Sequence, residues 1–309
     1  MLVLLNPSAA GGRAAARWRR IAPRVGAPAG PMDVVVSRTE GEARAAIAAG
    51  LAAGETWFVA AGGDGAVNLL VDTLVTAASP ERLRTVVVGA IGLGSSNDFH
   101  KPYRRMVDGS PIRLDREAAV EHDICAVTFE LGGRQERRLW IVNASIGATA
   151  RANWLFNHPD PVLRRLKRTS TGAGIMYAAA RAIAGWRSRQ MALADGAAAP
   201  EPGWGRIYNI GIVKNPHFSG DFRYDSPHER ASGRFFVHVL EHVPAPRLVA
   251  RAWDLLHGRF VGRAGTRSWR TAQLDVRAGA AFPLEFDGEV VLTRHAAFEV
   301  LSARVRVCA

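Results

Sequence analysis

The chain has 309 residues, with 40 Lys+Arg against 28 Asp+Glu and a formal net charge of +12. Its two cysteines, Cys125 and Cys308, exclude a disulfide framework or a cysteine zinc site, and no run of about 18 apolar residues exists to span a bilayer. The charge favours anionic partners (nucleotides, nucleic acid or an anionic membrane), but arginines spread along an Ala- and Gly-rich chain assign none of them.

The opening segment Met1–Pro7 has no basic region and too short an apolar run for a signal peptide, so the expected location is the cytoplasm, peripheral to the inner face of a membrane. The length suits two domains. In the first third, Leu2–Leu5, Met32–Val36, Thr56–Ala61 and Val86–Ala90 read as strands, while Glu42–Leu51 and Ala66–Val75 have helical spacing. Apolar strands alternating with helices predict a parallel sheet with ligands at the carboxyl ends of its strands. From about residue 119 the pattern changes. Ile124–Leu131, Leu139–Ser145, Ile207–Val213, Arg234–Glu241, Thr271–Val276 and Phe282–Phe286 read as strands, several with period-2 alternation. One long helical insertion is expected over Val162–Arg189, an Ala/Pro/Gly-rich loop over Asp195–Gly205, and a second helix over Pro246–Leu256.

Three Gly-rich or polar turns each follow a predicted parallel strand: Asn6–Gly12, Gly62–Asn68 and Gly94–Phe99. Together they would line one edge of the sheet as an anion cradle, with backbone N–H groups and a helix N-terminus facing the ligand. Asp64, inside the second turn, has the wrong charge for a bare phosphate; it suits a bridging divalent cation or a proton-handling role. The chain has neither a Walker loop nor a dinucleotide fingerprint, since Gly89, Gly92 and Gly94 are spaced wrongly. A fourth segment, Asp287–Glu289, read alone is a hairpin turn.

Taken as a set, Asn6-Pro7, Gly62–Gly65, Gly94–Phe99 and Asp287–Glu289 resemble the diacylglycerol kinase catalytic family, and Gly174–Ala179 and Leu256–Gly258 resemble further family segments. That family includes bacterial soluble lipid kinases, ceramide kinases and sphingosine kinases, related in fold to NAD kinases and phosphofructokinases. The resemblance implies an α/β N-terminal domain with a parallel sheet over 1–118, joined by a returning segment 290–309. It also implies a C-terminal β-sandwich with attached helices over 119–289 that holds lipid, with ATP and Mg²⁺ as cofactors.

Carried over residue by residue, Asn6, Pro7 and Gly12 would lie near the nucleotide. Gly62, Gly63, Asp64, Gly65, Ala66, Val67 and Asn68 would surround the phosphates, with Asp64 the candidate Mg²⁺ ligand. Ser37 and Ser95 replace the usual threonines and keep a hydroxyl. Asn97 and Asp98 belong to the same phosphate-side loop, and Lys101 would balance γ-phosphate charge. Glu289 matches the family's catalytic acid, the acceptor of the lipid hydroxyl proton, with Asp64 as the second catalytic carboxylate; the two roles are open to exchange. The chain departs from the pattern at Ala10, Ala66 and Leu69, and at Ser232, which replaces an acid of a structural Mg²⁺ site unless Asp225 or Glu229 substitutes.

Leu163, Leu166, Ile175, Met176, Tyr177, Ile183 and Trp186 beside Arg164, Arg165, Lys167 and Arg168 suit either an apolar strip resting on anionic lipid or a helix covering the sandwich. His217, His228, His238 and His242 lack metal spacing and read as core or solvated groups. The expected activity is ATP-dependent phosphorylation of a hydroxyl on a membrane-derived lipid: diacylglycerol, ceramide or a sphingoid base. The alternatives are an NAD kinase-like enzyme with a soluble acceptor, and a non-catalytic nucleotide- or lipid-binding regulator. No aromatic-basic motif for nucleic acid is present, and nothing in the sequence sets an oligomeric state.

Overall fold

The computed structural model describes residues 1–29, 31–196 and 205–309. The chain divides into two compact units, one of residues 1–124 with 301–309 and the other of residues 125–300.

In the first unit, β1 (Leu2–Leu5), β2 (Asp33–Val36), β3 (Trp57–Gly62) and β4 (Val87–Gly92) form a parallel sheet in the order β2-β1-β3-β4. Helices α1 (Ala14–Ala29), α2 (Glu40–Ala52), α3 (Asp64–Ala77) and α4 (Pro80–Thr85) lie between strands in the chain. Nearly every residue of β1, β3 and β4 is buried, as strands covered on both faces require. On one face Val3, Leu5, Val59, Ala61 and Ile91 pack with Ala14, Trp18, Ile21 and Val25 of α1, a spacing that gives that helix one apolar stripe. Glycine at position 50 lets α2 approach Leu2 and Phe58 on the other face. Helix α2 starts at a capping box: the Glu42 backbone N–H donates to the Thr39 hydroxyl at 3.2 Å, and the Glu42 carboxylate accepts from Thr39 N–H.

After β4 come a 3₁₀ turn (Asp98–His100) and the short antiparallel strands β5 (Met106–Val107) and β6 (Ser110–Arg113). The chain leaves along β7 (Val120–Leu131) and returns along β17 (Glu289–Val307), whose Arg306 and Val307 pair in parallel with Val87 and Val88. Arg304 pins this return with bonds to Asp123 at 3.0 Å and Glu121 at 2.9 Å. The return falls at residue 301 rather than 290, because β17 first runs antiparallel to β16 as far as Glu299.

The second unit contains β8 (Arg134–Trp140), β9 (Asn143–Gly147), α5 (Ala148–Asn157), α6 (Pro161–Thr169), α7 (Thr171–Gly185), β10 (Arg189–Asp195) and β11 (Arg206–Val213). Then follow β12 (His217–Phe218), β13 (Phe222–Arg223), β14 (Phe235–Glu241), α8 (Ala245–His257), β15 (Thr266–Thr271), β16 (Gln273–Phe286) and most of β17. Its strand pairings are antiparallel, with β14 between β15 and β11, and with β9 joining β11 to the end of β16. Trp140, Ile210, Ile212, Val237, Val239, Phe282 and Phe298 are among the residues of one apolar core.

Several expected elements are corrected. The segment Leu139–Ser145 is two strands, broken where Ile141 and Val142 turn their N–H groups to the Asp287 carboxylate. Thr271 ends β15 and Gln273 begins β16, with the Thr271 hydroxyl bonded to both backbone groups of Gln273. The helix expected over Val162–Arg189 is α6 and α7, split at Ser170, whose extended backbone ends one helix while its hydroxyl caps the next. Its apolar strip is divided: Leu163 and Trp186 are buried and Ile175 and Ile183 pack on the core, whereas Met176 is exposed. Helices α1 and α5 have no counterpart among the expected elements. Of the loop expected over Asp195–Gly205, residues 197–204 lie outside the described residues.

Candidate functional site

All four parallel strands of the first unit end on one edge of the sheet, so the turns after β1, β3 and β4 are neighbours. Asn6 N–H donates to the Ala61 carbonyl at 3.0 Å, while Leu93 and Gly94 N–H both donate to the Gly62 carbonyl, at 2.7 and 3.1 Å. Ser37, buried at the end of β2, joins the same edge through its N–H to the Leu5 carbonyl at 3.0 Å. An ideal Cβ on Gly94 would collide with Gly63 Cα, so these two backbones touch only because neither residue has a side chain.

Asp64 closes the arrangement. Its carboxylate accepts the N–H of Asp98 at 3.0 Å and of Phe99 at 2.8 Å, capping the 3₁₀ turn of the neighbouring loop. Asn97, in the left-handed region at φ 53°, accepts Gly94 N–H on its own side-chain oxygen at 3.0 Å. Asn6 does the same for Ser8 N–H, an Asx turn that fixes Pro7 and the start of the first loop. Further along, Ala10, Gly11 and Gly12 all have positive φ, and a Gly at position 10 would meet no strain there.

Helix α3 starts at Asp64, with Gly63 as an N-cap that offers no side-chain bond. Gly65 N–H therefore faces outward at the helix N-terminus, where backbone dipoles favour an anion. Ala66 and Val67 point their N–H groups to the Gly63 carbonyl, and the Val67 side chain is in the core, so neither offers a donor to the cradle. Asn68 lies one residue further into the helix. Ser95 is exposed at the tip of the third loop. Lys101 is buried, with its ammonium 2.7 Å from the Asp98 carboxylate, so its charge stands beside the loop it follows.

Arg17 of α1 is a site residue that sequence reasoning missed. Its guanidinium donates to the carbonyls of Leu93 and Gly94 at 3.3 and 3.2 Å, and burial followed by the charges of Arg13 and Arg20 lowers its pKa. The signal was there as arginines at i and i+4 on the solvent side of an unexpected helix. Beneath the loop, burial and then the charge of Arg113 push His100 down to about 3, so it is neutral at ordinary pH.

Asp287, Gly288 and Glu289 belong to the second unit, at the tip of the β16–β17 hairpin. Asp287 and Gly288 have φ 44° and 95°, the two positive values of a type I′ turn. The buried Asp287 carboxylate accepts three backbone N–H groups, from Ile141, Val142 and Asn143, at 2.8, 3.0 and 3.1 Å. Glu285, also buried, accepts from the Ser145 hydroxyl and from Gly288 N–H, each at 2.8 Å, and Asn157 donates to the Gly288 carbonyl at 3.0 Å. The exposed Glu289 thus stands on a tip held from three sides.

Elsewhere in this unit, Asp225 caps the N–H groups of Phe260 and Val261, and Glu229 pairs with Arg270 at 2.8 Å, so both candidate substitutes for a structural Mg²⁺ ligand have other partners. The buried Lys214 ammonium reaches the Arg234 carbonyl at 2.7 Å and the Ser232 hydroxyl at 3.4 Å. His238 is a core group between the hydroxyls of Ser268 and Ser226, stacked on Tyr224 at 4.0 Å.

Residues 1–122 match the family model of the diacylglycerol kinase catalytic domain. No curated protein matches the chain. Among solved structures, a candidate diacylglycerol kinase from Bacillus anthracis str. Sterne is 14% identical, with a TM-score of 0.69 over 99% of this chain and 96% of that one. Another structure, of a diacylglycerol kinase from the same organism, is 11% identical with a TM-score of 0.65, covering 99% and 95% of the two chains. At such identities these likenesses show a shared fold. The likeness to the diacylglycerol kinase catalytic domain is thus carried by residues 1–122, and the likeness over the whole chain is one of fold.

Proposed function

We propose that this protein is an ATP-dependent, Mg²⁺-requiring lipid kinase that transfers a phosphoryl group to a hydroxyl of diacylglycerol, ceramide or a sphingoid base. The observation that carries it is the joining of the loops at Asn6, Gly62–Gly65 and Gly94–Asp98 at one edge of the parallel sheet, through the Asp64 carboxylate and the Gly63–Gly94 contact.

Within that reading, Gly65 N–H and the end of α3 hold the phosphates, and Ser95 adds a hydroxyl. The residues fit Mg²⁺: Asp64 supplies the hard carboxylate oxygens the ion or its water shell prefers, and the N–H groups of Asp98 and Phe99 hold them in place. When bound, Mg²⁺ would neutralise charge on the transferring phosphoryl group. Glu289 orients the incoming hydroxyl and accepts its proton. The rigid tip under Glu289 suits that task, since phosphoryl transfer depends mostly on positioning.

Radiolabelled ATP incubated with a lipid extract, with NAD as a parallel acceptor, tests the proposal. Labelled lipid is expected from the wild type and none from Glu289→Ala, which still binds ATP. Label in NAD alone points to the soluble-acceptor reading; ATP binding without any turnover points to a regulator.

A further inference from the structure

Helix α8 keeps Leu248 against the core and turns an apolar face to solvent. Val249 and Trp253, one helical turn apart, are 63% and 62% exposed. Pro246, Ala250 and His257 share this face, and the Trp253 and His257 rings lie 4.4 Å apart. No charged side chain interrupts that stripe. Just past the helix, Val261 is 45% exposed. Neighbouring apolar side chains open together on one helix face mark an interaction site more often than single ones do.

The rim is cationic. Residues 245–263 hold Arg247, Arg251, Arg259 and Arg263 against the single acid Asp254, a net +3 (four minus one). Asp254 is engaged by Arg251 at 3.2 Å and Arg263 at 3.7 Å, whereas Arg247 and Arg259 have no ion-pair partner among the described residues. A tryptophan and valines on a segment of net positive charge match the interface of an anionic bilayer, where the indole sits at headgroup depth and the cations meet phosphates. A second copy of the chain fits poorly. In a two-fold contact this cationic patch would meet its own copy, on molecules that each carry +12.

We infer that the Val249–Trp253 face of α8, with Val261 and the rim of Arg247 and Arg259, is the surface by which this protein docks on an anionic phospholipid bilayer. The choice of a bilayer rests in part on the lipid-kinase reading; the binding test does not.

Cosedimentation of the full chain, without ATP, with phosphatidylcholine vesicles containing phosphatidylglycerol is the experiment. Binding is expected that weakens with salt and falls about tenfold in Trp253→Ala and in Val249→Ser. Both positions are exposed, so thermal melts of the variants should match the wild type. Unchanged vesicle binding in both variants overturns the inference, as does a wild-type dimer in sedimentation velocity that Trp253→Ala abolishes. Phosphorylation of lipid dispersed in detergent micelles separates the two readings: Trp253→Ala should retain it. Micellar activity with no Trp253-dependent vesicle binding removes the docking surface alone. Vesicle binding with no phosphorylation of any lipid removes the kinase reading and leaves the surface standing.

Discussion

The Asp64 carboxylate accepts the backbone N–H of Phe99 at 2.8 Å, across 35 positions of sequence. One side chain thereby fixes the distance between the turn that opens α3 and the loop that follows β4. Asp64→Ala orphans the N–H groups of Phe99 and Asp98, and a loss of about 2 kcal/mol is expected. Asp64→Asn should not rescue it fully, because its amide group has one acceptor oxygen where two are used. Urea unfolding midpoints and ATP titration check both variants; an unaltered midpoint in Asp64→Ala would remove the bridging role.

The close approach of Gly63 and Gly94 separates two otherwise similar substitutions. Gly94→Ala drives a methyl carbon into the Gly63 backbone and should cost about 1–3 kcal/mol together with nucleotide affinity. Gly65→Ala meets nothing within 4 Å on a helical residue, and should stabilise by up to about 1 kcal/mol. Equal midpoints for the two would contradict the packing.

At the hairpin tip, structure and proposed chemistry are carried by adjacent acids. Asp287→Ala leaves three buried N–H groups without their acceptor, and a loss of about 3 kcal/mol or more is expected. Glu289→Ala is expected to change stability by less than about 0.5 kcal/mol while lowering turnover about 100-fold or more. Paired denaturation and kinase assays read the contrast, and a Glu289 variant that turns over normally ends its assignment.

Two histidines set an acid limit. Burial, opposed slightly by Asp225, pushes His238 down to about 3, close to the value for His100. Each folded pKa lies below the unfolded value of about 6.5, so the unfolded chain binds more protons between pH 6.5 and 3. Their contribution is complete above pH 6.5 and is lost as pH falls towards 3. Stability should drop by about 2 kcal/mol per histidine between pH 6.5 and 4.5. Urea titrations at both pH values of the wild type and of His238→Gln, whose drop should be smaller, measure this.

Lys214 offers a test of metal dependence in the second unit. With Asp225 and Glu229 occupied and the Lys214 ammonium on Ser232 and Arg234, chelation by EDTA should leave the melting temperature of the nucleotide-free protein unchanged. Lys214→Met, by contrast, is expected to lose about 1–3 kcal/mol. A chelator-sensitive melt would show that a bound ion shares the load.

Strands β1 to β4 were legible because each is an apolar run bounded by turn residues, and the three loops were legible as a set. Helix α1 was obscured by its arginines, which hide the Ala14, Trp18, Ile21 and Val25 stripe. What Asp64 and Asp287 hold was not readable, since a carboxylate in a Gly-rich turn looks the same whether it meets a metal, a proton or distant N–H groups. Composition likewise marks the residues of 162–189 as apolar without saying which way they point. Leu163 and Trp186 point inward while Val162 and Met176 are exposed, and α8, expected only as a helix, exposes Trp253.

The route of β17 bears on whether the N-terminal unit can be made by itself. A polypeptide ending at Ile124 would lack Arg306 and Val307 beside Val87 and Val88, baring that stretch of the sheet edge while β6 still covers Ala90 and Ile91, and would strand Asp123 without Arg304. Such a piece should aggregate, whereas tethering residues 301–309 back onto it through a flexible linker should restore solubility.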